Sequence, residues 1–376
     1  MSVAEAVGPE PEEQDSIEKE DELPLDEIPP ARPASWPLQI AKAERSIFEL
    51  HRSWKSGVLR LDPDFQREFV WDPRRKVKLV ESVLARIPLP VFYLSEENED
   101  QTLVIDGQQR LTTLFNFMEG GFALRGLSLL PELNGKRFAD LEGRLQRRFE
   151  STPLTCFIVQ PGTDANVKFQ IFERLNEGAV ALNAQEIRNS LFRGPGLDFI
   201  KRLAADTSRG SFRDVAGAHR EYPRMRADEL VLRALAFIDR GLDEYTGDTR
   251  AFLNEELQRL NRHPELHPDL ESRLHHALGR AKVVFGQHAF CRYNPTDGTW
   301  ARLLNGPLLE VIVAGFDRHF PEGTPLSKAT ATKLLQRFQR LNGDEGFRNA
   351  ITFATQSTSA VRKRFDLWMK ELADVA

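Results

Sequence analysis

The feature that most constrains this chain is a change of hydrophobic period across a single glycine. Leu103-Val104-Ile105 is a short apolar run of strand type; beyond Asp106-Gly107 the apolar residues Leu111, Leu114, Phe115 and Met118 recur at spacings of three and four. Asp106, Gln108, Gln109 and Arg110 crowd the junction, and core packing requires none of them. A strand–glycine–helix junction turns unpaired backbone N–H groups and the positive end of a helix toward an anion. Arg110 adds a planar, permanently charged fork suited to phosphate. The same residues also fit a plain helix start, with Asp106 as the cap and Gln108, Gln109 and Arg110 as a solvated first turn.

The elements around the junction follow from local pattern. Ile40 to Trp54 reads as a helix, with Ile47, Leu50 and Trp54 on one side, and Val58 to Leu61 as a short strand ended by Asp62-Pro63. Residues 74–86 read as a helix. Ile87-Pro88-Leu89-Pro90 is a stiff connector into the strand Val91–Leu94, which an acidic turn at 96–100 joins to Leu103–Ile105 as a hairpin. The helix of residues 108–119 stops at Gly120-Gly121. Residues 122–150 form a loop-and-helix insertion, Pro153–Val159 is a strand, and residues 164–176 are a helix. Leu182–Phe192 is another, with Asn183 and Glu186 in a capping-box arrangement. Beyond about residue 195 the pattern is helical almost throughout, over 197–206, 226–239, 248–261, 267–285, 301–319, 327–341 and 358–372.

Composition sets the outer limits. A 376-residue chain with 41% hydrophobic residues has material for a sizeable core, and it contains no apolar run of about eighteen residues that would span a membrane. It has no charged-then-apolar leader pattern, and its two cysteines, Cys156 and Cys291, exclude a disulfide framework; the cytoplasm is the expected compartment. The net charge of −5 hides an asymmetry: residues 1–30 carry eleven acids and one lysine, so the remaining 346 residues sum to +5. The first 37 residues read as a disordered acidic tail, and the mildly basic body is compatible with nucleotide or nucleic acid.

Two further clusters share the junction's chemistry, placing amides and arginines beside large apolar residues. One is Gln66 and Arg67 between Phe65 and Phe69, followed by Trp71; the other is Arg174 and Asn176, followed by Gln185, Glu186, Arg188 and Asn189. Their donors suit phosphate oxygens and nucleotide edges, although for the second of these, taken alone, a polar network tying helices together is the favoured reading. No Walker segment, G-x-G-x-x-G or nucleophile elbow is present. Lys136, Arg137, Arg144, Arg147 and Arg148 make the densest basic patch, which a solvated helix face explains more readily than a DNA contact.

Taken in order, Phe65-Gln66-Arg67 with Val70-Trp71, Ile105 to Leu114, Phe172 to Asn176 and Leu182 to Asn189 resemble the family found as the N-terminal half of GmrSD-type modification-dependent restriction enzymes. Weaker similarity runs on through Arg224-Met225, Glu229–Arg233, Asn305–Val311 and Phe347–Thr355. The resemblance implies an α+β fold: a ParB/sulfiredoxin-like nucleotide-binding domain with a small mixed sheet over residues 38–195, then an all-α helical region over 196–376. It implies a nucleoside triphosphate and Mg²⁺ as cofactors. Asp106, Gln108 and Arg110 would be catalytic; Gly107, Gln109, Gln66, Arg67, Arg174, Asn176, Gln185, Glu186, Arg188 and Asn189 would hold the nucleotide; and Asp106 and Glu186 would place the metal.

The chain departs from the restriction-enzyme pattern in two places. None of its eight histidines stands in a His-Asn-His nuclease pattern, and Glu177-Gly178-Ala179-Val180 replaces a more glycine-rich turn. The expectation is an NTP-binding, NTP-hydrolysing sensor or regulator of restriction or anti-phage type without its own nuclease, acting on DNA or through a separate nuclease or effector protein, with helical surface for a homodimer. The alternatives are a non-catalytic nucleotide-gated module and a nuclease that uses the Asp106–Arg110 site itself.

Overall fold

The hairpin expected between Val91 and Ile105 is the centre of the sheet. The structure is a computed structural model and describes residues 17–18, 40–61, 71–98, 100–175, 183–217, 220 and 222–375. Its contacts divide the chain into two units, Ala34–Leu182, and Asn183–Ala376 together with the N-terminal segment.

In the first unit, β1 (Ile40–Ser46), β2 (Leu59–Arg60), β3 (Phe92–Asn98), β4 (Gln101–Asp106) and β5 (Pro153–Val159) form one sheet in the order β1-β5-β3-β4-β2. The sheet is mixed: β1–β5 and β3–β4 are antiparallel, β5–β3 and β4–β2 parallel. Among the described residues, five helices accompany it, α1 (Ile47–Lys55), α2 (Pro73–Leu84), α3 (Gln108–Met118), α4 (Gly143–Glu150) and α5 (Ala165–Leu175). The i, i+3, i+4 stripe of α3 is buried as its spacing requires: Leu111, Leu114 and Phe115 pack in one cluster with Val80, Val83 and Leu84 of α2 and Phe92 and Leu94 of β3.

One boundary differs from the sequence reading. Residues 40–46 are a strand, not the start of a helix. The Ser46 hydroxyl accepts from the Glu49 N–H at 3.1 Å, and the Glu49 carboxylate accepts from the Ser46 N–H at 2.7 Å. This reciprocal box starts α1 at Ile47 and leaves the preceding residues to pair with β5. The Ser-x-x-Glu signal stands in the sequence; the apolar spacing of Ile47, Leu50 and Trp54 overrode it.

The second unit is built on helices: α6 (Ala184–Leu191), α7 (Pro195–Ala205), α8 (Phe212–Ala216), α9 (Arg226–Asp239), α10 (Thr249–Arg262), α11 (His267–Phe285), α12 (Gly306–His319), α13 (Lys328–Leu341), α14 (Glu345–Thr352) and α15 (Thr358–Ala373). α12 is its axis, buried continuously from Gly306 to Phe316, with α9, α11 and α15 packed around it. Glu310 of α12 is buried between Arg233 of α9 and Arg364 of α15, which pair with its two oxygens. Such a cluster costs desolvation and fixes one helix arrangement.

The region is not all-α. Residues 301–304, expected as helix, belong to the hairpin β6 (Cys291–Asn294) and β7 (Thr299–Leu304). Its turn is made by Asp297, which accepts from the backbone N–H and hydroxyl of Thr299 and from Asn294 Nδ2. Asn-Pro-Thr-Asp-Gly is a strong turn signal, and the alternation of the flanking residues was too short to register. Within the acidic N-terminus, Ile17 is buried against this unit and bridges Leu304.

Candidate functional site

Asp106 ends β4, opposite Tyr93 of β3, and Gly107 follows as the N-cap of α3 with φ at 99°. This is the left-handed region, which glycine enters without penalty. A side chain at this position would also collide with its neighbour, because a Cβ on Gly107 would lie 2.3 Å from Cδ1 of Phe92. The N-cap therefore carries no side chain, and no side chain caps the helix. Asp106 is not the cap, contrary to the simpler reading of the sequence. The first-turn N–H groups of Gln108, Gln109 and Arg110 head a helix whose end bears partial positive charge.

Arg110 folds back over this junction. Its Nη1 donates to the Pro90 carbonyl, and its Nη2 donates to the Val91 carbonyl at 3.0 Å and to Asp106 Oδ2 at 2.8 Å. The guanidinium lies 4.3 Å from the centre of the Phe92 ring, a cation–π distance. Burial pulls its pKa down and the Asp106 carboxylate opposes that shift, so the group remains a cation. The fork is thus spent on its own chain, pinning the connector before β3 to the turn after β4. Phe92, Pro90 and Val91 escaped the sequence reading as site residues; the Pro88-Leu89-Pro90 connector ahead of an apolar strand was the available signal.

Of the third cluster, Gln185, Glu186, Arg188 and Asn189 lie in the second unit and bond within it. Asn183 caps α6 by accepting from the N–H groups of Gln185 and Glu186, and Glu186 returns a carboxylate oxygen to the Asn183 N–H. The other bonds of Glu186 go to Arg224, at 3.1 Å from Nε and 2.7 Å from Nη2. Arg188 donates to Asn254 at 2.9 Å and to Gln185 at 3.2 Å, and Gln185 donates to Asn189 at 3.0 Å. Complete burial lowers the Arg188 pKa to about 10. This network ties α6 to α9 and α10. It also holds Arg224 and Met225, two non-glycine residues at φ 53° and 60°, in the left-handed region.

The two halves of the expected site therefore divide between the units: Asp106 to Arg110 stand in the first, and Gln185, Glu186, Arg188 and Asn189 in the second. Arg174 is exposed on the last turn of α5. Gln66, Arg67, Asn176 and the turn at 177–180 lie outside the described residues.

Among the described residues, no group of three or more His, Cys, Asp and Glu side chains could hold a metal ion. Glu186, with both oxygens committed, does not fit that role. Asp106 fits it better, being 41% exposed beside the helix end. Two of the histidines serve packing: His267 stacks on Phe199 at 4.3 Å and His288 on Trp300 at 5.0 Å. On α4 Phe149 is buried and Arg144 and Arg147 face solvent, as a solvated helix face requires. Cys156 and Cys291 are buried free thiols. Among the described residues no helix is long and apolar enough to cross a membrane.

No curated protein and no solved structure matches the chain. One family model does, described as the GmrSD restriction endonuclease, N-terminal domain, over residues 47–193. The match takes in the Asp106–Arg110 junction and helix α6 and stops short of the similarities at 224–233, 305–311 and 347–355. The similarity of this chain to GmrSD restriction endonuclease N-terminal domains is thus carried by residues 47–193.

Proposed function

We propose that this chain binds a nucleoside triphosphate at the N-terminus of α3 and hydrolyses it, in a restriction or anti-phage role exercised on DNA. The observation that carries the reading is the uncapped helix end behind a left-handed Gly107, inside the segment that matches a restriction-endonuclease domain. A helix end of this kind recognises phosphate through backbone N–H groups and its dipole.

The geometry supports the following roles. The first-turn N–H groups and the amide side chains of Gln108 and Gln109 would grip phosphate oxygens. Arg110, turned inward, would set the loop against the helix end and lend it positive charge. Asp106 would hold a magnesium ion, since Mg²⁺ needs only one or two protein carboxylates. Bound there, the ion would neutralise the charge that phosphoryl transfer develops.

The test is phosphate release from each of the four ribonucleoside triphosphates with magnesium, with and without DNA. Release is expected for at least one. It should fall by about 10²-fold or more in Arg110→Ala and remain low in Arg110→Lys, which cannot make the three bonds of the fork. Undiminished release in Arg110→Ala would remove hydrolysis from this junction. A binding-only module is the second reading, favoured by the commitment of Asp106 Oδ2 to Arg110; it predicts calorimetric binding of a triphosphate with no release even when DNA is present.

A further inference from the structure

The edge of β7 carries a short piece of extended chain far removed in sequence. Ile17 bridges Leu304 in parallel fashion, and the Glu18 N–H donates to the Leu304 carbonyl at 2.8 Å. Ile17 is 6% exposed. The Glu18 carboxylate is gripped at both oxygens: Arg292 Nε donates to Oε1 at 2.7 Å, and Asn305 Nδ2 donates to Oε2 at 2.9 Å. Asn305 is itself buried and fully engaged. Its Oδ1 caps α12 by accepting from the Leu308 N–H at 2.9 Å, and its Nδ2 also donates to the Ile351 carbonyl of α14.

These contacts combine three recognition elements: a strand edge that supplies a backbone acceptor, a place for one aliphatic side chain, and a paired cation and amide that read one carboxylate. That is the logic of strand addition, in which backbone bonds give affinity and alternate side chains give specificity. An exposed strand edge is also what a folded protein does well to cover. The residues beside Ile17-Glu18 in sequence are mostly acidic, and among the described residues Arg292 is the cation paired with Glu18.

We propose that the β7 edge with Arg292 and Asn305 is a docking site for an extended aliphatic–glutamate segment, and that the chain's own Ile17-Glu18 fills it as a removable strap. The strap is read at the N-cap of the most buried helix of its unit, so its seating and the order of the start of α12 are coupled through Asn305. Because the segment is tethered, its local concentration is on the order of millimolar, and a free peptide of the same sequence competes poorly until the strap is released.

The test uses the full chain and a fluorescent peptide covering residues 10–25. The double variant Ile17→Asp/Glu18→Lys, which unseats the strap, should bind the peptide at least about tenfold more tightly than the wild-type chain does. Adding Arg292→Glu should abolish that binding, and a peptide carrying Glu18→Lys should not bind. Equal binding to wild type and double variant, or none to the double variant, overturns the proposal. A dimer held by exchanged N-terminal segments would also overturn it, by placing the occupant in trans. Independently of any variant, the Glu18 amide of the wild-type chain should exchange at least about tenfold more slowly than an unstructured amide, and exchange at the unstructured rate overturns the proposal.

Discussion

Gly107 and Phe92 exclude any larger residue at the turn: a Cβ on the glycine would lie 2.3 Å from the ring, and the glycine's φ of 99° is itself costly for every other residue. The same ring lies beneath the Arg110 guanidinium. One phenylalanine at the start of β3 thus fixes both the shape of the turn and the position of the charge beside it.

Gly107→Ala should therefore destabilise the protein by about 1–3 kcal/mol from backbone strain alone, and by more through the collision. Phe92→Leu in the same chain should recover part of that loss by relieving the collision and none of the backbone part. Denaturant unfolding of the two single variants and the double variant measures this coupling, and strict additivity would show that the ring and the turn are independent.

The α6 network has a structural duty that its residue types conceal. Asn183→Ala removes the cap of α6 and the bond from Nδ2 to the Arg224 carbonyl. A loss of about 0.5–2 kcal/mol is expected for the cap, with more for the freed left-handed turn at Arg224-Met225. Glu186→Gln should cost at least as much, since it leaves the Arg224 side chain without its carboxylate partner. If these residues served only a ligand, both variants would keep wild-type stability in its absence, which calorimetric unfolding detects.

Glu256 on α10 gives the fold a pH signature. The carboxyl is wholly buried, neither oxygen has a hydrogen-bond partner, and its pKa is raised to about 8, first by burial and then by Asp239, against the opposing pull of Arg240 and Arg259. The folded chain then holds a proton that the unfolded chain releases above about 4.5. The stability this contributes is complete below that pH and is lost as pH rises toward 8. Glu256→Gln, which stays neutral, should match wild type near pH 4 and exceed it near pH 8 by on the order of a few kcal/mol. A difference between the two chains that does not vary with pH would contradict the assignment.

Much of this was legible in the sequence because it is local. The period change at Gly107 gave β4 and α3, and Asn183 with Glu186 gave the α6 cap. What was hidden is tertiary. Nothing in the order Asp-Gly-Gln-Gln-Arg says that Arg110 turns back onto Pro90 and Val91 instead of outward. That choice depends on a connector about twenty residues earlier and on the ring of Phe92. Likewise the amides and arginine at 185–189 have the composition of a ligand site, and only their distant partners Arg224, Asp228 and Asn254 identify a helix-tying network. The β6–β7 hairpin was missed because its strands are short and it is flanked by long helices, so a helical window absorbed it.

The central claim is that the phosphate of a nucleotide rests on the first turn of α3. Backbone amide exchange of Gln108, Gln109 and Arg110, measured with and without a non-hydrolysable triphosphate and magnesium, tests it most directly. The account predicts slowing of about tenfold or more at these three amides, centred there and spreading outward. Nucleotide binding that leaves the three amides unchanged while protecting a different segment would contradict it.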